Sequence, residues 1–169
     1  MEHLSDTGIE FYGNSLEKLF ENAAMGMFSI IIDIDSVVSR DKIRISIVID
    51  HDSLEDLLVL WLEKIIYHFE TASMVFAVFN VNSVKRSGKG YRLEAEIIGE
   101  NFDDKRHVVK TGIKAPTYHQ LEVKKMVKNG GAGLFLIYNS IRITFLLKII
   151  LRSVSPAGPY ERLRYKKNK

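Results

Sequence analysis

KIRISIVIDHDSLEDLLVLWLEKIIYHF, residues 42–69, contains the two strongest secondary-structure patterns of the chain. Isoleucine occupies every second position from Ile43 to Ile49, and this period of two predicts a β-strand. Asp52-Ser53-Leu54-Glu55 has the sequence of a capping box, which predicts the start of a helix. The apolar residues that follow recur at helical spacing: Leu54, Leu57, Leu58, Trp61, Leu62, Ile65, Ile66 and Phe69. A helix with so broad an apolar stripe must pack on a sheet or on another helix.

A second strand–helix pair precedes this segment. Residues 9–12 alternate apolar and polar side chains, which predicts a short strand that ends at Gly13. Asn14-Ser15-Leu16-Glu17 is another capping box, in which Asn14 accepts from a free backbone N–H and Glu17 reaches back. The predicted helix ends near Ile31, and its apolar positions are Leu16, Leu19, Phe20, Ala23, Met27 and Phe28.

The carboxyl-terminal half has the pattern of strands and turns. Residues 74–84 and 91–97 are β-prone and flank the turn Ser87-Gly88-Lys89-Gly90, which predicts a hairpin. Leu121 and Val123 continue in strand alternation, and residues 129–133 predict a flexible turn. Residues 134–151 are very apolar, but Arg142 and other polar residues interrupt them. They predict a buried strand that continues into an apolar extension rather than a membrane helix.

These patterns predict an α+β fold, a mixed β-sheet with two main amphipathic helices packed on it. With 169 residues, of which 46% are hydrophobic, the chain is long enough for one domain with a substantial core. We assign residues 1–140 to this domain and residues 141–169 to an apolar extension and a basic tail.

The charge of the chain is divided unevenly. Residues 152–169 have six basic side chains and one acidic one, a net charge of +5, and the remainder has 18 basic against 20 acidic, a net charge of −2. A basic tail can be a solvated end, or it can contact RNA or an acidic surface. One candidate function is therefore an RNA-binding or chaperone-like module that acts through the tail. The absence of cysteine fits a reducing compartment, no signal peptide is expected, and we expect the cytoplasm.

The first residues contain groups that bind protons or metals. His3 and Asp6 come directly before the first predicted strand, and a carboxylate at the mouth of a strand is fixed yet accessible to solvent. The spacing equally fits ordinary surface residues, with Asp6 capping a backbone amide. A zinc site from His3, His107 and His119 is the other alternative, although their spacing matches no short ligand motif.

Several segments, in the same order, resemble the archease family. His3-Leu4-Ser5-Asp6, followed by a strand and Gly13, is similar to the opening His-Thr-Ala-Asp block of that family. Residues 16–28 and 54–62 are similar to its two helices. Gly99-Glu100, Arg106-His107 and Lys114-Ala115-Pro116-Thr117-Tyr118-His119 match its later signature, so the likeness covers about residues 2–125.

The resemblance implies a divalent metal, calcium, bound by the Asp of the opening block and by an Asp near the end of the final strand, with main-chain help. Asp6 matches the first ligand. The nearest counterpart of the second is Asn139, followed by Ser140, so we take Asp6, Asn139 and Ser140 as candidate ligands. Because a neutral amide offers one carbonyl oxygen and no charge, this calcium site is expected to be weak.

The resemblance also implies an accessory protein rather than an enzyme. Archeases promote guanylylation and multiple turnover of RtcB-type RNA ligases, which join tRNA halves. The expected partner is therefore such a ligase, with indirect contact to tRNA and no membrane. The candidate partner surface consists of Arg106, His107, Lys114, Tyr118 and His119; the alternative is that these residues are solvated or, for Tyr118, part of the core. A hydrolase is not indicated, because the sequence lacks a nucleophile elbow and a Walker loop.

Overall fold

The computed structural model describes residues 6–110, 122–130 and 134–146, with the side chains of residues 11–110 and 123. The elements in chain order are β1 (Asp6–Gly13), α1 (Leu16–Ile31), a short 3-10 turn (Ile34–Ser36), β2 (Asp41–Ile49), α2 (Leu54–Ala72), β3 (Met74–Ser87), β4 (Gly90–Asn101), β5 (Glu122–Gly130) and β6 (Leu134–Leu146). In the described part of the chain, no helix is both long and apolar enough to cross a membrane.

The strands form two three-stranded sheets, with the orders β1-β6-β5 and β2-β4-β3. The predicted α+β class is confirmed. A mixed sheet was expected, but the described strand pairings are all antiparallel. The predicted hairpin is also confirmed, because Ser87 pairs with Gly90 at the β3–β4 turn. Gly88 occupies that turn at a φ of 61°, a left-handed conformation that favours glycine.

Both helices begin one residue later than the capping boxes predict. The Ser15 hydroxyl accepts from Lys18 N at 3.1 Å, and the Ser53 hydroxyl accepts from Asp56 N at 3.0 Å. Each serine therefore caps the N–H three residues ahead, as hydroxyl caps commonly do. The glutamates that were expected to close the boxes are consequently available for other partners. The predicted end of α1 at Ile31 is confirmed.

Both of these glutamates, Glu17 and Glu55, and also Glu21 of α1 bind strand N–H groups. The Glu17 carboxylate accepts from Val84 N at 3.0 Å, and the Glu21 carboxylate accepts from Val81 N at 2.9 Å. Both N–H groups belong to β3, which lies at the edge of its sheet and has an irregular register at this point. Helix α1 thus satisfies donors that an edge strand leaves unpaired. Glu55 of α2 does the same for Val123 N of β5 at 2.9 Å.

The core lies between the helices and the inner faces of the strands. Phe28 of α1 is fully buried, and its ring lies 5.6–5.8 Å from the rings of Phe69, Phe76 and Phe79. Trp61 of α2 is also fully buried, and its indole N–H donates to the backbone oxygen of Phe20 at 3.1 Å. This hydrogen bond joins the two helices, as burial of an indole N–H requires a partner.

The strand β6 extends beyond the predicted domain boundary. Residues 141–146 pair with residues 6–11 of β1, so the boundary expected at residue 140 falls inside β6. Asn129 and Gly130, which the sequence placed in a turn, belong to β5 and pair with Phe135 and Leu134. The predicted strand within residues 134–151 is confirmed for Leu134–Leu146.

Candidate functional site

A buried carboxylate near the end of β4 organises the most polar part of the described interior. Only 4% of the Glu100 side chain is exposed. Two nitrogens of the Arg106 guanidinium donate to its carboxylate oxygens at 3.1 and 2.8 Å, and Val38 N donates at 2.7 Å. The Arg40 side chain lies farther away, with Nε 3.8 Å from a Glu100 oxygen. We call Glu100, Arg106 and His107 the Glu100 cluster.

The turn after β4 brings Arg106 and His107 back to Glu100. The carboxylate of Asp103 accepts from Lys105 N at 3.0 Å and from Arg106 Nε at 3.1 Å. The backbone oxygen of Asp103 accepts from Arg106 N at 3.1 Å and from His107 N at 2.8 Å. An aspartate that bonds the backbone just ahead of it is a common means of fixing a tight turn.

Both ring nitrogens of His107 are occupied. Nδ1 accepts from Asp103 N at 2.9 Å, so Nε2 carries the hydrogen and donates to Glu100 at 3.2 Å. The side chain is completely buried. The His107 side chain therefore cannot contact a partner directly, and in this respect the prediction that it lines a partner surface is wrong. The zinc alternative is also wrong for His107, because neither nitrogen has a lone pair available for a metal.

The Glu100 carboxylate is a permanent anion at neutral pH. The bidentate Arg106 guanidinium, followed by the N–H of Val38, lowers the pKa of Glu100 from 4.5 to about 2. Reciprocally, the Glu100 carboxylate raises the pKa of Arg106. Glu100 and Arg106 therefore keep their charges near neutrality, and the ion pair positions backbone and side chains. Sequence reasoning included Glu100 only in the family signature and missed its role, because its partner Val38 is 62 residues away.

The cluster is followed by the segment with the remaining predicted surface residues. Val109 forms an isolated bridge with Ile32, and Lys110 N donates to Ile31 O at 2.7 Å, so the chain is fixed to the end of α1. Lys114, Tyr118 and His119 lie outside the described residues. The Arg106 side chain is 40% exposed, which fits both a partner surface and the alternative of a solvated residue, so its role at a partner surface stays a prediction.

The register of β1 with β6 separates the candidate metal ligands. The backbone of Asp6 lies opposite Leu146, whereas Asn139 lies opposite Gly13 and Ser140 opposite Tyr12. Seven residues of strand between Asp6 and Gly13 correspond to about 23 Å, at about 3.3 Å per residue. The structure therefore does not bring Asp6 together with Asn139 and Ser140, and the predicted shared ligand set is not supported.

Comparison with known proteins agrees with the resemblance in the sequence. The model of the archease protein family (MTH1598/TM1083) matches residues 1–137. The chain belongs to the archease family. A protein archease of Methanosarcina barkeri is 39% identical over 125 residues, which are 74% of this chain and 84% of the relative. A protein archease of Pyrococcus furiosus is 34% identical over 125 residues, which are 74% of this chain and 86% of the relative.

A solved structure has the same fold as this archease family member. The solution structure of Methanobacterium thermoautotrophicum protein 1598 superposes with a TM-score of 0.63 at 22% sequence identity. The match covers 87% of this chain and 96% of that protein. At this level of identity the likeness supports the fold alone.

This archease family member has a poor donor set for the expected calcium ion. Residues 123–160 contain no Asp or Glu, so β6 supplies no carboxylate in any register. Calcium prefers six to eight oxygen ligands, several of them usually from carboxylates. In the part of the chain that the structure describes, no group of three or more His, Cys, Asp or Glu residues could hold a metal. Asp6 remains a candidate ligand, but the residues present do not fit the expected two-carboxylate site.

Three of the four acidic residues at the start of α2, Asp50, Asp52 and Asp56, are paired with basic partners. Arg86 donates to the Asp52 carboxylate at 2.8 Å, and His51 contacts Asp56 and Asp50 with its two ring nitrogens. The hydrogen bond to Asp56, followed by the one to Asp50, raises the pKa of His51. The predicted structural role of this cluster at a helix N-terminus is thus consistent with its contacts.

Proposed function

We propose that this archease family member activates an RtcB-type RNA ligase in tRNA splicing and promotes guanylylation and multiple turnover of that ligase. The single observation that carries this proposal is the family match over residues 1–137, which includes both the opening block and the Lys114–His119 block. The relatives are named protein archease. The proposed role is that of an accessory protein, not of a catalyst.

The polar interior supports a binding role. In the described residues, no buried side-chain nitrogen or oxygen lacks a hydrogen-bond partner. A group that works as an acid, base or nucleophile commonly has a pKa near the working pH. The Glu100 carboxylate instead has a pKa of about 2 and is bound by four donors, which suits a rigid support. This support holds Arg106 in a fixed arrangement, and the backbone of Lys110 is held by its hydrogen bond to Ile31 O.

The test is a ligation assay with the ligase of the same organism and an excess of tRNA halves. The full chain is expected to increase the product formed per ligase well beyond one turnover, and to increase the guanylylated fraction after incubation with GTP. The chain alone should form no ligated product. An unchanged product yield per ligase in the presence of the chain would overturn the proposal.

A matched pair of variants tests the Glu100 cluster in this role. Glu100→Gln with Arg106→Gln removes both charges and keeps groups that can hydrogen-bond to each other. Asp52→Asn with Arg86→Gln makes the same charge change in an exposed ion pair elsewhere. We expect the first variant to lose most of the activation and the second to retain it. Equal activation by the two variants, at equal folded fractions, would remove the cluster from the functional surface.

Divalent metal binding is a separate proposal. We propose that calcium binding by this chain depends on Asp6 and is weak, because the donor set offers a single carboxylate from the predicted ligands. Calorimetric titration of calcium into the wild type and into Asp6→Ala tests this. Equal heats for the two proteins would exclude Asp6 as a ligand, and tight binding by the wild type would contradict the expected weakness.

A further inference from the structure

Within the part of the chain that the structure describes, no helix packs on one face of the sheet β2-β4-β3. Its inner face contributes the buried residues Ile45, Ile47, Leu93, Ala95 and Ile97 to the core beneath the helices. The residues that alternate with these on the two strands are exposed or half-buried. Together with their cross-strand neighbours on β3 they form what we call the outer sheet face: Lys42, Arg44, Ser46, Val48, Val78, Asn80, Ser83, Lys85, Arg92, Glu94, Glu96 and Ile98.

The charge of the outer sheet face is opposite to that of its surroundings. Residues 6–110 contain twelve basic and eighteen acidic residues, a net charge of −6. The outer sheet face has four basic side chains against two acidic ones, a net charge of +2. A cationic face on an anionic body attracts a polyanion to one side of the molecule and orients it on approach.

Lys42 and Arg44 of β2, together with Arg40 directly before this strand, form a row of basic residues at the edge of this face; Arg40 also has its Nε 3.8 Å from the Glu100 carboxylate. Lys42 and Arg44 are two residues apart, and Arg40 lies two residues before Lys42. Residues with this spacing on a strand are separated by about 6.6 Å. The exposed fractions of the side chains are 66% for Arg40, 49% for Lys42 and 86% for Arg44. The row therefore presents three accessible cations along one line.

The two acidic residues of the face do not neutralise this row. Glu96 accepts from Lys42 Nζ at 3.0 Å and from Arg44 Nε at 3.4 Å. Glu94 accepts from the Ser46 hydroxyl at 2.8 Å and from Arg92 at 3.2 Å. Exposed ion pairs contribute only about 0–1 kcal/mol, and a guanidinium has five N–H donors, so the arginines can bind phosphate without a large penalty.

We propose that the outer sheet face binds the sugar–phosphate backbone of RNA. Contacts to phosphate and ribose need Lys and Arg with Ser or Asn, and all four residue types are present on this face. A protein partner would need an apolar centre, commonly with aromatic residues. The outer sheet face contains no aromatic residue. Two of its three apolar residues, Val78 and Ile98, form one cross-strand pair beside Lys42, and the third, Val48, lies apart beside Arg92, so the face has no extended apolar centre. This proposal is independent of the ligase role and of the basic tail.

The test uses the full chain and a 20-nucleotide oligouridine labelled with fluorescein, with binding measured by anisotropy from 50 to 200 mM salt. Lys42→Gln, Arg44→Gln and Arg92→Gln are combined in one face variant. Because each phosphate contact to a single strand contributes about 0.7 to the slope of log affinity against log salt, the slope should decrease by about 2. The basic tail is the same in the wild type and in the face variant, so the difference between their slopes reports on the outer sheet face.

A matched control variant distinguishes the loss of RNA contacts on this face from the effect of a lower total charge on RNA binding. Lys18→Gln, Lys64→Gln and Lys110→Gln remove the same number of charges from α1, α2 and the segment after the Glu100 cluster. We expect this control to keep the wild-type slope within about 0.5. Equal slopes for the face variant and the wild type, or the same decrease in the control, would overturn the proposal.

Two further measurements keep the proposal testable if the face variant is unstable. Glu94→Gln with Glu96→Gln raises the charge of the face by two and should strengthen RNA binding, whereas unchanged or weaker binding would overturn the proposal. Polyglutamate is the competitor that distinguishes the classes of partner. It should displace the RNA much less well than unlabelled oligouridine of equal charge. Equal displacement would assign the face to an acidic protein surface instead of RNA.

Discussion

Gly26 lies at the contact between α1 and β1, and replacing it by alanine sets two effects against each other. In a helix interior, glycine is about 1 kcal/mol less favourable than alanine, so helix propensity alone predicts a more stable protein. A Cβ at position 26 would, however, lie 2.7 Å from Cζ of Phe11 and closer still to Cε1. Relaxed carbon–carbon contacts are about 3.5–4.0 Å, so the ring must move by about 1 Å or more.

Steric strain should exceed the gain in propensity. Phe11 is buried, with 9% exposure, and belongs to the core, so its ring has little free space to move into. Overpacking of a close-packed core costs about 1–3 kcal/mol, and two short contacts favour the upper part of that range. We therefore expect Gly26→Ala to lower the free energy of unfolding by about 1–2 kcal/mol.

The assay is urea unfolding monitored by the fluorescence of Trp61, the single tryptophan of the chain. Phe11→Leu provides the decisive background, because leucine lacks the two ring atoms that the new Cβ would meet. In that background Gly26→Ala should become stabilising by about 0.5–1 kcal/mol. A more stable single variant, or a loss of stability that is unchanged in the Phe11→Leu background, would refute the proposed clash.

Three other predictions concern stability and titration. The pKa of Glu100 is about 2 in the folded protein against an ordinary 4.5, so its contribution to stability is complete above about pH 4.5 and is lost as the pH falls towards 2. Glu100→Gln should flatten urea-unfolding stability across that window and lower it at pH 7; a wild-type-like profile would contradict this. Trp61→Phe removes a buried hydrogen bond and part of a ring, and it should lower the free energy of unfolding by about 2–3 kcal/mol. Tyr67→Phe changes a residue that is 56% exposed and should alter this free energy by less than about 0.5 kcal/mol. Equal losses of stability for the two variants in chemical denaturation would count against the described core. The pKa of His51 is raised above 6.5 by Asp56, so its stabilising contribution is present below about pH 6.5 and is lost as the pH rises through the folded value. Asp56→Asn should lower the midpoint of the His51 proton NMR titration, and an unmoved midpoint would show that Asp56 is not its main partner.

The family and most of the secondary structure were predictable because their signals are local. Alternation along β2 and the apolar stripe of α2 each depend on residues within a few positions of one another, and both elements occur as expected. The order of the motifs was enough to indicate the archease family, which the match over residues 1–137 confirms. The helix starts were displaced by one residue because Ser15 and Ser53 cap the helices, although the residues before them, Asn14 and Asp52, are equally common capping residues.

The candidate site was less predictable, because its contacts join distant parts of the chain. Glu17 was expected to close a capping box, yet it accepts from Val84, 67 residues away. His107 was expected on the surface, yet the turn at Asp103 directs it inward to Glu100. Asp6 was expected beside Asn139, but a strand register is set by the pairing of whole strands, and it places Leu146 opposite Asp6.

The sequence by itself determined the α+β class, the two strand–helix pairs and the family, because hydrophobic periodicity and short motifs are properties of neighbouring residues. Tertiary structure alone decided that Glu100 is an internal anion, that the Asp6 and Asn139 backbones lie apart, and that the basic residues of β2 and β4 share the face of the sheet opposite to the two described helices. These results depend on which strands pair, in which register, and on which side the helices pack. No local pattern of side chains contains that information.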